Sequence, residues 1–132
     1  MATIQQLGQS VLGDYAMDAI LRDVRKKVVT LTPSGRLDSF AAPRLKAKLI
    51  ALIEAGHNQI VLDLRYIEFI DSAGIEVLVT TLNKTRNAGG DTILMNAYAK
   101  RIIKVLQIIQ LDKIFTIAET IEQAMERFEP VS

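Results

Sequence analysis

The sequence predicts an α/β domain in which a mixed central sheet of about five strands is flanked by about four helices. Two observations carry this prediction. Short apolar runs rich in β-branched residues alternate with segments of helical period, and Gly, Pro, Asp or Ser residues separate them. Strands that alternate with helices are joined by right-handed crossovers, which place the helices against the faces of the sheet.

The composition is that of one globular domain without a strong electrostatic partner. The 132 residues are 49% hydrophobic and 23% charged, and the formal net charge is +1. This near-neutral balance predicts no direct binding to nucleic acid or to an anionic membrane. The chain has no cysteine, no signal-peptide pattern and no apolar run of the roughly 20 residues that a membrane span needs. We therefore expect a cytoplasmic protein.

Residues 1–17 include two glycines that interrupt any periodic pattern, and we expect them to form an N-terminal extension. The predicted domain covers residues 18–129. It opens with two strands, at residues 19–24 and 28–32, which a short basic segment joins.

The first helix is predicted at residues 41–55, where apolar residues recur at helical spacing. Asp38 and Ser39, just before it, are residue types that cap helix starts. Contact with a binding partner is as plausible for these two side chains as capping alone, and the sequence leaves both roles open.

Residues 60–64 are expected to be the central strand, because an almost unbroken apolar run indicates burial on both faces of a sheet. Asp63 interrupts this run. It has no evident charged partner in the sequence, so we interpret it as a hydrogen-bonding strand residue rather than a catalyst.

A second helix is predicted at residues 73–88, directly after Asp71 and Ser72. Asp and Ser before an apolar-periodic run are typical of a helix start, so the Ser72 hydroxyl is expected near solvent at the mouth of the helix. A phosphate there would meet the positive end of the helix dipole and unpaired backbone donors. It would also add roughly 1.5 to 2 negative charges beside Asp71. Ser72 is therefore a candidate switch, although capping alone is the commoner role of such a serine.

The two faces of this second helix differ in character. Ile75, Leu78, Val79 and Leu82 recur at i, i+3, i+4 and i+7 and are predicted to face the core. The opposite face has small side chains and few charges, which is unusual for a fully solvated face and suggests a docking surface. The alternative is incidental exposure of one or two apolar residues. The side chains of this face are Ala73, Val77, Thr80, Thr81 and Lys84.

Two further strands, at residues 92–96 and 115–117, and two further helices complete the predicted domain. In the helix at residues 99–110, four apolar side chains are predicted to face the core, namely Ile102, Val105, Leu106 and Ile109. Ile108 lies off that face and is a weak candidate for self-association or partner contact. The last helix follows a capping-box pattern that begins at Thr120.

The sequence contains no pattern that is typical of an enzyme or a metal site. It lacks both glycine-rich phosphate-binding motifs, the Gly-x-Ser-x-Gly frame around Ser72 and any cluster of metal ligands. His57, the single histidine, is expected in a surface loop with no second ligand near it in sequence. We predict no catalytic residue, no metal and no cofactor.

Several of these segments together resemble the STAS domain family, and within it the soluble anti-sigma factor antagonists. The resemblance rests on the strand at residues 60–64, the corner Phe69-Ile70-Asp71-Ser72-Ala73-Gly74, the corner Gly35-Arg36-Leu37-Asp38 and the approach to the last strand at residues 111–115. It covers residues 18 to about 128 and implies a central sheet flanked by helices.

The resemblance implies a binding module that phosphorylation controls. An unphosphorylated antagonist of this kind binds an anti-sigma factor that is itself a serine/threonine kinase, and the sigma factor is freed for transcription. The kinase phosphorylates the serine at the position of Ser72 and the complex separates, until a PP2C-type phosphatase restores binding. We expect a monomer or weak dimer. The residues expected to contact the partner are Asp38, Ser39, Asp71, Ser72, Ala73, Gly74, Val77, Thr80, Thr81 and Lys84.

Two other functions stay open at this point. Some relatives act as scaffold or interaction subunits of stress-signalling assemblies, a role that a very large particle would reveal. Others are reported to bind small molecules, but no residue pattern of this chain indicates such a site.

Overall fold

The computed structural model of the chain describes residues 19–23, 27–97 and 100–128. The expected extension at residues 1–17 lies outside these residues, as does the predicted domain boundary at residue 129. The elements follow in chain order as β1 (Ala19–Asp23), β2 (Val28–Leu31), β3 (Ser34–Leu37), α1 (Ala42–Glu54), β4 (Gln59–Asp63), β5 (Tyr66–Ile70), α2 (Ser72–Asn87), β6 (Asp91–Met95), α3 (Lys100–Ile108), a 3₁₀ turn (Leu111–Lys113), β7 (Thr116–Ala118) and α4 (Ile121–Glu126).

A five-stranded mixed sheet is the centre of the fold, as predicted. Its strand order is β1-β2-β4-β6-β7, in which β1 runs antiparallel to β2 and the other neighbours are parallel. All five residues of β4 are buried, which confirms that the near-continuous apolar run is the middle strand. No helix within the described ranges is long and apolar enough to cross a bilayer.

Helices cover both faces of this sheet. Alternate side chains of each strand point to opposite faces, and the apolar ones on each face pack against helices. In β4, Ile60 and Leu62 belong to a large core cluster that also contains buried residues of α1, α2 and α3. Val61, between them, belongs to a smaller cluster on the other face, together with Ala124 and Phe128 at α4. The parallel strands therefore end along one sheet edge between two layers of helices.

A second sheet of two parallel strands, β3 and β5, was missed by the sequence analysis. Leu37 pairs with Ile70 at its carboxyl end, after an irregularity in the register between Gly35 and Arg36. Neither strand is buried along its length, and Gly35 has a φ of +84° that strands of ordinary residues avoid. Residues 66–70 are thus a strand that leads into α2.

The predicted cap of α1 is wrong, whereas that of α4 is correct. The residue before α1 is Ala41, which provides no side-chain cap. Asp38 Oδ1 instead accepts from the backbone N–H groups of Phe40 and Ala41, both at 3.1 Å, and so stabilises the turn that precedes the helix. Ser39 is exposed and caps nothing. At α4 the capping prediction is confirmed, because Thr120 Oγ1 accepts from the Gln123 N–H at 3.1 Å.

The predicted core face of α3 is correct for its middle and wrong for its end. Ile102 and Leu106 are buried, and Val105 is partly buried against the same core. Ile109 is 43% exposed, because the helix ends at Ile108 and the left-handed backbone of Gln110 redirects the chain, so that Leu111 rather than Ile109 enters the core. Ile108 is exposed as predicted.

Asp63 is a hydrogen-bonding residue, as interpreted from the sequence, but it has a charged partner. Its Oδ2 accepts from Arg65 Nε at 2.8 Å, and its Oδ1 accepts from the Arg65 N–H at 3.1 Å and from Asn96 Nδ2 at 2.9 Å. The carboxylate raises the pKa of Arg65 above its ordinary value. Asp63 therefore joins the end of β4 to the turn before β5 and to the residue after β6.

Replacing Asp63 with alanine should lower the free energy of unfolding by about 1–3 kcal/mol, because the buried Asn96 amide would lose its acceptor. Urea denaturation measures the change. Glu76→Ala is the control, since Glu76 forms an exposed ion pair with Lys46 whose loss should cost less than about 1 kcal/mol. Equal, small losses in the two variants would mean that the Asp63 hydrogen bonds do not stabilise the fold.

Candidate functional site

The start of α2 is built by Asp71 and Ser72, as the sequence predicts. Asp71 is the N-cap residue, with an extended backbone, and its Oδ1 accepts from the N–H groups of Ala73 at 2.9 Å and Gly74 at 3.2 Å. Ser72 is the first residue of the helix and is exposed. The capping role therefore belongs to Asp71, and within the described residues no group hydrogen-bonds the Ser72 hydroxyl.

The pairing of β3 with β5 brings the two predicted corners together. Because Leu37 and Ile70 are partners in a parallel pair, the residues that follow them leave the sheet at the same edge. The Asp71 N–H also donates to the Leu37 carbonyl oxygen at 3.3 Å. The turn that contains Asp38 and Ser39 therefore lies beside the start of α2.

Gly74 permits this close approach. A Cβ atom at position 74 would collide with the Leu37 carbonyl oxygen and would lie 2.7 Å from Ile70 Cγ1 and 2.8 Å from Leu37 Cγ. These distances are below ordinary van der Waals contact, so a side chain would push α2 away from β3. Gly74 is buried and acts as a spacer rather than as an exposed contact residue.

The docking face proposed for α2 from sequence is wrong in part. Val77 is 1% exposed and Thr81 is 3% exposed, so neither can contact a partner protein. Thr81 can be buried because its hydroxyl donates to the Val77 carbonyl oxygen at 2.7 Å. The buried stripe follows helical spacing through Gly74, Val77, Leu78, Thr81, Leu82 and Thr85.

The other predicted residues of α2 are more accessible. Ser72 and Lys84 are exposed, and Ala73 and Thr80 are half-buried. Ile75 and Val79, which were expected to face the core, are only partly buried against it. The exposed face is therefore rotated from the predicted one, toward Ser72 and Glu76.

Sequence reasoning missed an exposed aromatic residue beside this helix start. Phe40 is 74% exposed, and the Arg44 guanidinium lies 4.8 Å from its ring centroid. Glu76, one turn after Ser72, accepts from Lys46 Nζ of α1 at 2.9 Å. The only sequence signal for Phe40 is its position after a turn residue and outside the apolar stripe of α1. We call the accessible residues at the two helix starts the helix-start surface; Ser39, Phe40, Ser72 and Glu76 are exposed, and Asp38 and Asp71 are half-buried.

Three carboxylates lie on this surface, with the cations Arg36, Lys46 and Arg44 beside them. The hydrogen bond from the Ala41 N–H holds the pKa of the Asp38 carboxyl below its usual value, and the nearby Arg36 guanidinium acts in the same direction. Asp71 and Glu76 add two further carboxylates at the start of α2. Among the described residues, Arg36 and Lys46 pair with two of these three groups.

Comparison with known families explains this arrangement. The model of the STAS domain matches residues 19–124, which include every described strand and most of α4. The chain belongs to the STAS domain family.

Relatives of this STAS domain are named as anti-sigma factor antagonists. One from Thermotoga neapolitana is 33% identical over 103 residues, which are 77% of this chain and 90% of the relative. The crystal structure of one from Thermotoga maritima has a TM-score of 0.77 at 30% identity and covers 85% of this chain and 93% of its own.

A third similar protein is the antagonist SpoIIAA, which has been solved in two forms. The unphosphorylated form has a TM-score of 0.67 at 26% identity, and covers 83% of this chain and 94% of its own. The phosphorylated form from Bacillus has a TM-score of 0.62 at 27% identity. The match covers 83% of this chain and 97% of the SpoIIAA chain.

The start of α2 in this STAS domain offers fewer free donors than the sequence suggested for a phosphate, because among its described first amides only the Ser72 N–H has no acceptor. The Asp71 carboxylate already accepts from the Ala73 and Gly74 N–H groups. The Ile75 N–H donates to the Asp71 carbonyl oxygen at 2.9 Å. A phosphate on Ser72 would therefore lie beside the Asp71 carboxylate, which already accepts from two of the first-turn amides.

The described residues include no group of three or more His, Cys, Asp or Glu side chains that could hold a metal ion. His57 lies half-buried in the loop after α1, and burial lowers its pKa, with a smaller contribution from Lys27. It is separated in the fold from the helix-start surface, because it precedes the opposite end of β4.

Replacing Gly74 with alanine should lower the free energy of unfolding of this STAS domain by about 1–3 kcal/mol, because the added Cβ meets backbone that cannot yield. Alanine normally stabilises a helix by about 1 kcal/mol relative to glycine, so a loss of stability would report the collision itself. Thermal or urea unfolding measures the difference.

Ser72→Ala is the matched control for this experiment, since it changes an exposed neighbour in the same turn and should shift stability by less than about 0.5 kcal/mol. If Gly74→Ala is as stable as the unchanged chain, then α2 does not approach Leu37 as closely as described.

Proposed function

We propose that this chain is an anti-sigma factor antagonist that acts by binding rather than by catalysis. In its unphosphorylated form it binds an anti-sigma factor that is a serine/threonine kinase, and a sigma factor is released to direct transcription. Phosphorylation of Ser72 by that kinase ends the interaction, and a PP2C-type phosphatase restores it. The names of its relatives and the two solved forms of SpoIIAA support this proposal.

The observation that carries the proposal is the position of the Ser72 hydroxyl. It is exposed at the first residue of α2, where a kinase can reach it without unfolding the domain. The Asp38 turn and the exposed Phe40 ring lie at the neighbouring helix start. An aromatic side chain beside polar groups is a common centre of protein interfaces.

Charge explains how a phosphate on Ser72 would end binding. It would add roughly 1.5 to 2 negative charges to a surface that already holds three carboxylates. Two of the first-turn amides that could compensate it, those of Ala73 and Gly74, already donate to Asp71. A partner would then have to bury the dianion, which costs several kcal/mol unless it provides a paired cation.

The proposed surface differs from the set expected from sequence. It retains Asp38, Ser39, Asp71 and Ser72, with Ala73 at its margin, and adds Phe40 and Glu76. Thr80 and Lys84 are accessible but lie further along α2, Lys84 in its last turn. The surface omits Gly74, Val77 and Thr81, which are buried.

Isothermal titration calorimetry against the purified anti-sigma factor tests the proposal. Ser72→Ala should bind within about threefold of the unchanged chain, because it removes an exposed hydroxyl without a partner. Ser72→Glu should bind at least about tenfold more weakly, and the Ser72 phosphoprotein roughly a hundredfold more weakly, which corresponds to about 3 kcal/mol.

Gln107→Glu is the control for this titration, because it places the same side chain on an exposed position of α3 that is not part of the helix-start surface. It should bind as the unchanged chain does. Equal affinities for Ser72→Ala, Ser72→Glu and the phosphoprotein would remove the electrostatic mechanism, and no binding by any of them would remove the antagonist function.

A further inference from the structure

An apolar groove lies between β5 and α3, outside the helix-start surface. Its volume is about 300 Å³. Five apolar side chains line it, namely Phe69, Ile70, Ile102, Val105 and Ile108. Ile70 and Ile102 form its buried floor, Phe69 and Val105 are half-buried, and Ile108 is exposed at its edge.

Ile108, which forms one wall of this groove, also protrudes into solvent. Ile108 is 70% exposed, at the end of α3, and its neighbour Ile109 is 43% exposed. A single surface therefore carries both a recess and an isoleucine that could fill such a recess. This combination is what a two-fold symmetric interface requires, because each copy must present the same patch to the other.

The charges at the rim of the groove support the same occupant. Glu68 and Lys104, one from β5 and one from α3, border it and are exposed. Neither forms an ion pair with another of the described residues. In a two-fold arrangement, Glu68 of one copy can meet Lys104 of the second copy, and the pair occurs twice.

We propose that this groove is a self-association surface, in which Ile108 of each copy enters the groove of the other and Glu68 pairs with Lys104 across the two-fold axis. The patch is small, so the dimer is weak, with a dissociation constant between about 10 µM and 1 mM. The proposal does not depend on the function of Ser72, because none of the groove residues belongs to the helix-start surface.

Sedimentation equilibrium of the full chain up to about 1 mM tests the proposal. The unchanged chain should be a monomer in reversible equilibrium with a dimer, and Ile108→Lys should raise the dissociation constant at least about tenfold. Ile114→Lys is the matched control: Ile114 is 50% exposed but does not line the groove, and this variant should associate as the unchanged chain does.

Exchanging the charges of Glu68 and Lys104 tests whether these two residues pair across the two-fold axis. Glu68→Lys and Lys104→Glu should each weaken the dimer several-fold, because each places like charges opposite each other. The double variant should restore association to within about threefold of the unchanged chain. All these positions are exposed, and circular dichroism checks that each variant is folded.

Three results would overturn the proposal. The first is a chain that stays monomeric at the highest concentration, which would assign the groove to a different protein or to a small apolar molecule. The second is a dimer that Ile108→Lys leaves intact or that Ile114→Lys weakens equally. The third is a double charge variant as weak as the two single variants.

Discussion

The close approach of the Leu37 backbone to the start of α2 is the constraint on which the candidate site depends. Pairing of β3 with β5 brings the Leu37 backbone to the start of α2, and the hydrogen bond from the Asp71 N–H to the Leu37 carbonyl oxygen holds the two segments together. Gly74 has no side chain and so leaves room for this contact. Without this approach, the Asp38 turn and Ser72 would lie on separate surfaces. The local hydrogen bonds matter less for total stability than for placing these two corners together.

The cap at Asp71 determines what a modification of Ser72 can do. Because the Asp71 carboxylate already accepts from the Ala73 and Gly74 amides, a phosphate on Ser72 would have to compete with it for these two donors. The modification would therefore alter the charge of an exposed surface and leave the fold unchanged. The same strand that delivers Ser72 to this surface also contributes Phe69 and Ile70 to the apolar groove, so β5 connects two surfaces of different chemistry.

The main sheet could be predicted from sequence because its strands are buried on both faces, and residues 60–64 are accordingly apolar. The smaller sheet could not, since residues 34–37 lack the β-branched pattern and owe their extended form to pairing with β5. Cap chemistry placed Asp71 and Ser72 correctly. Hydropathy misplaced Thr81, because a threonine that hydrogen-bonds to the preceding turn can be buried as readily as a valine. Phe40 was missed since no local rule predicts an exposed aromatic residue.

The central claim is that phosphorylation of Ser72 changes a surface and not a fold. The most direct measurement compares amide chemical shifts of the ¹⁵N-labelled chain before and after stoichiometric phosphorylation. The account predicts that large shifts are confined to the Asp38 turn and the first two turns of α2, with the amides of β4 and β6 unchanged. Shifts that spread through these buried strands would contradict it, because they would mean that the phosphate acts by rearranging the core.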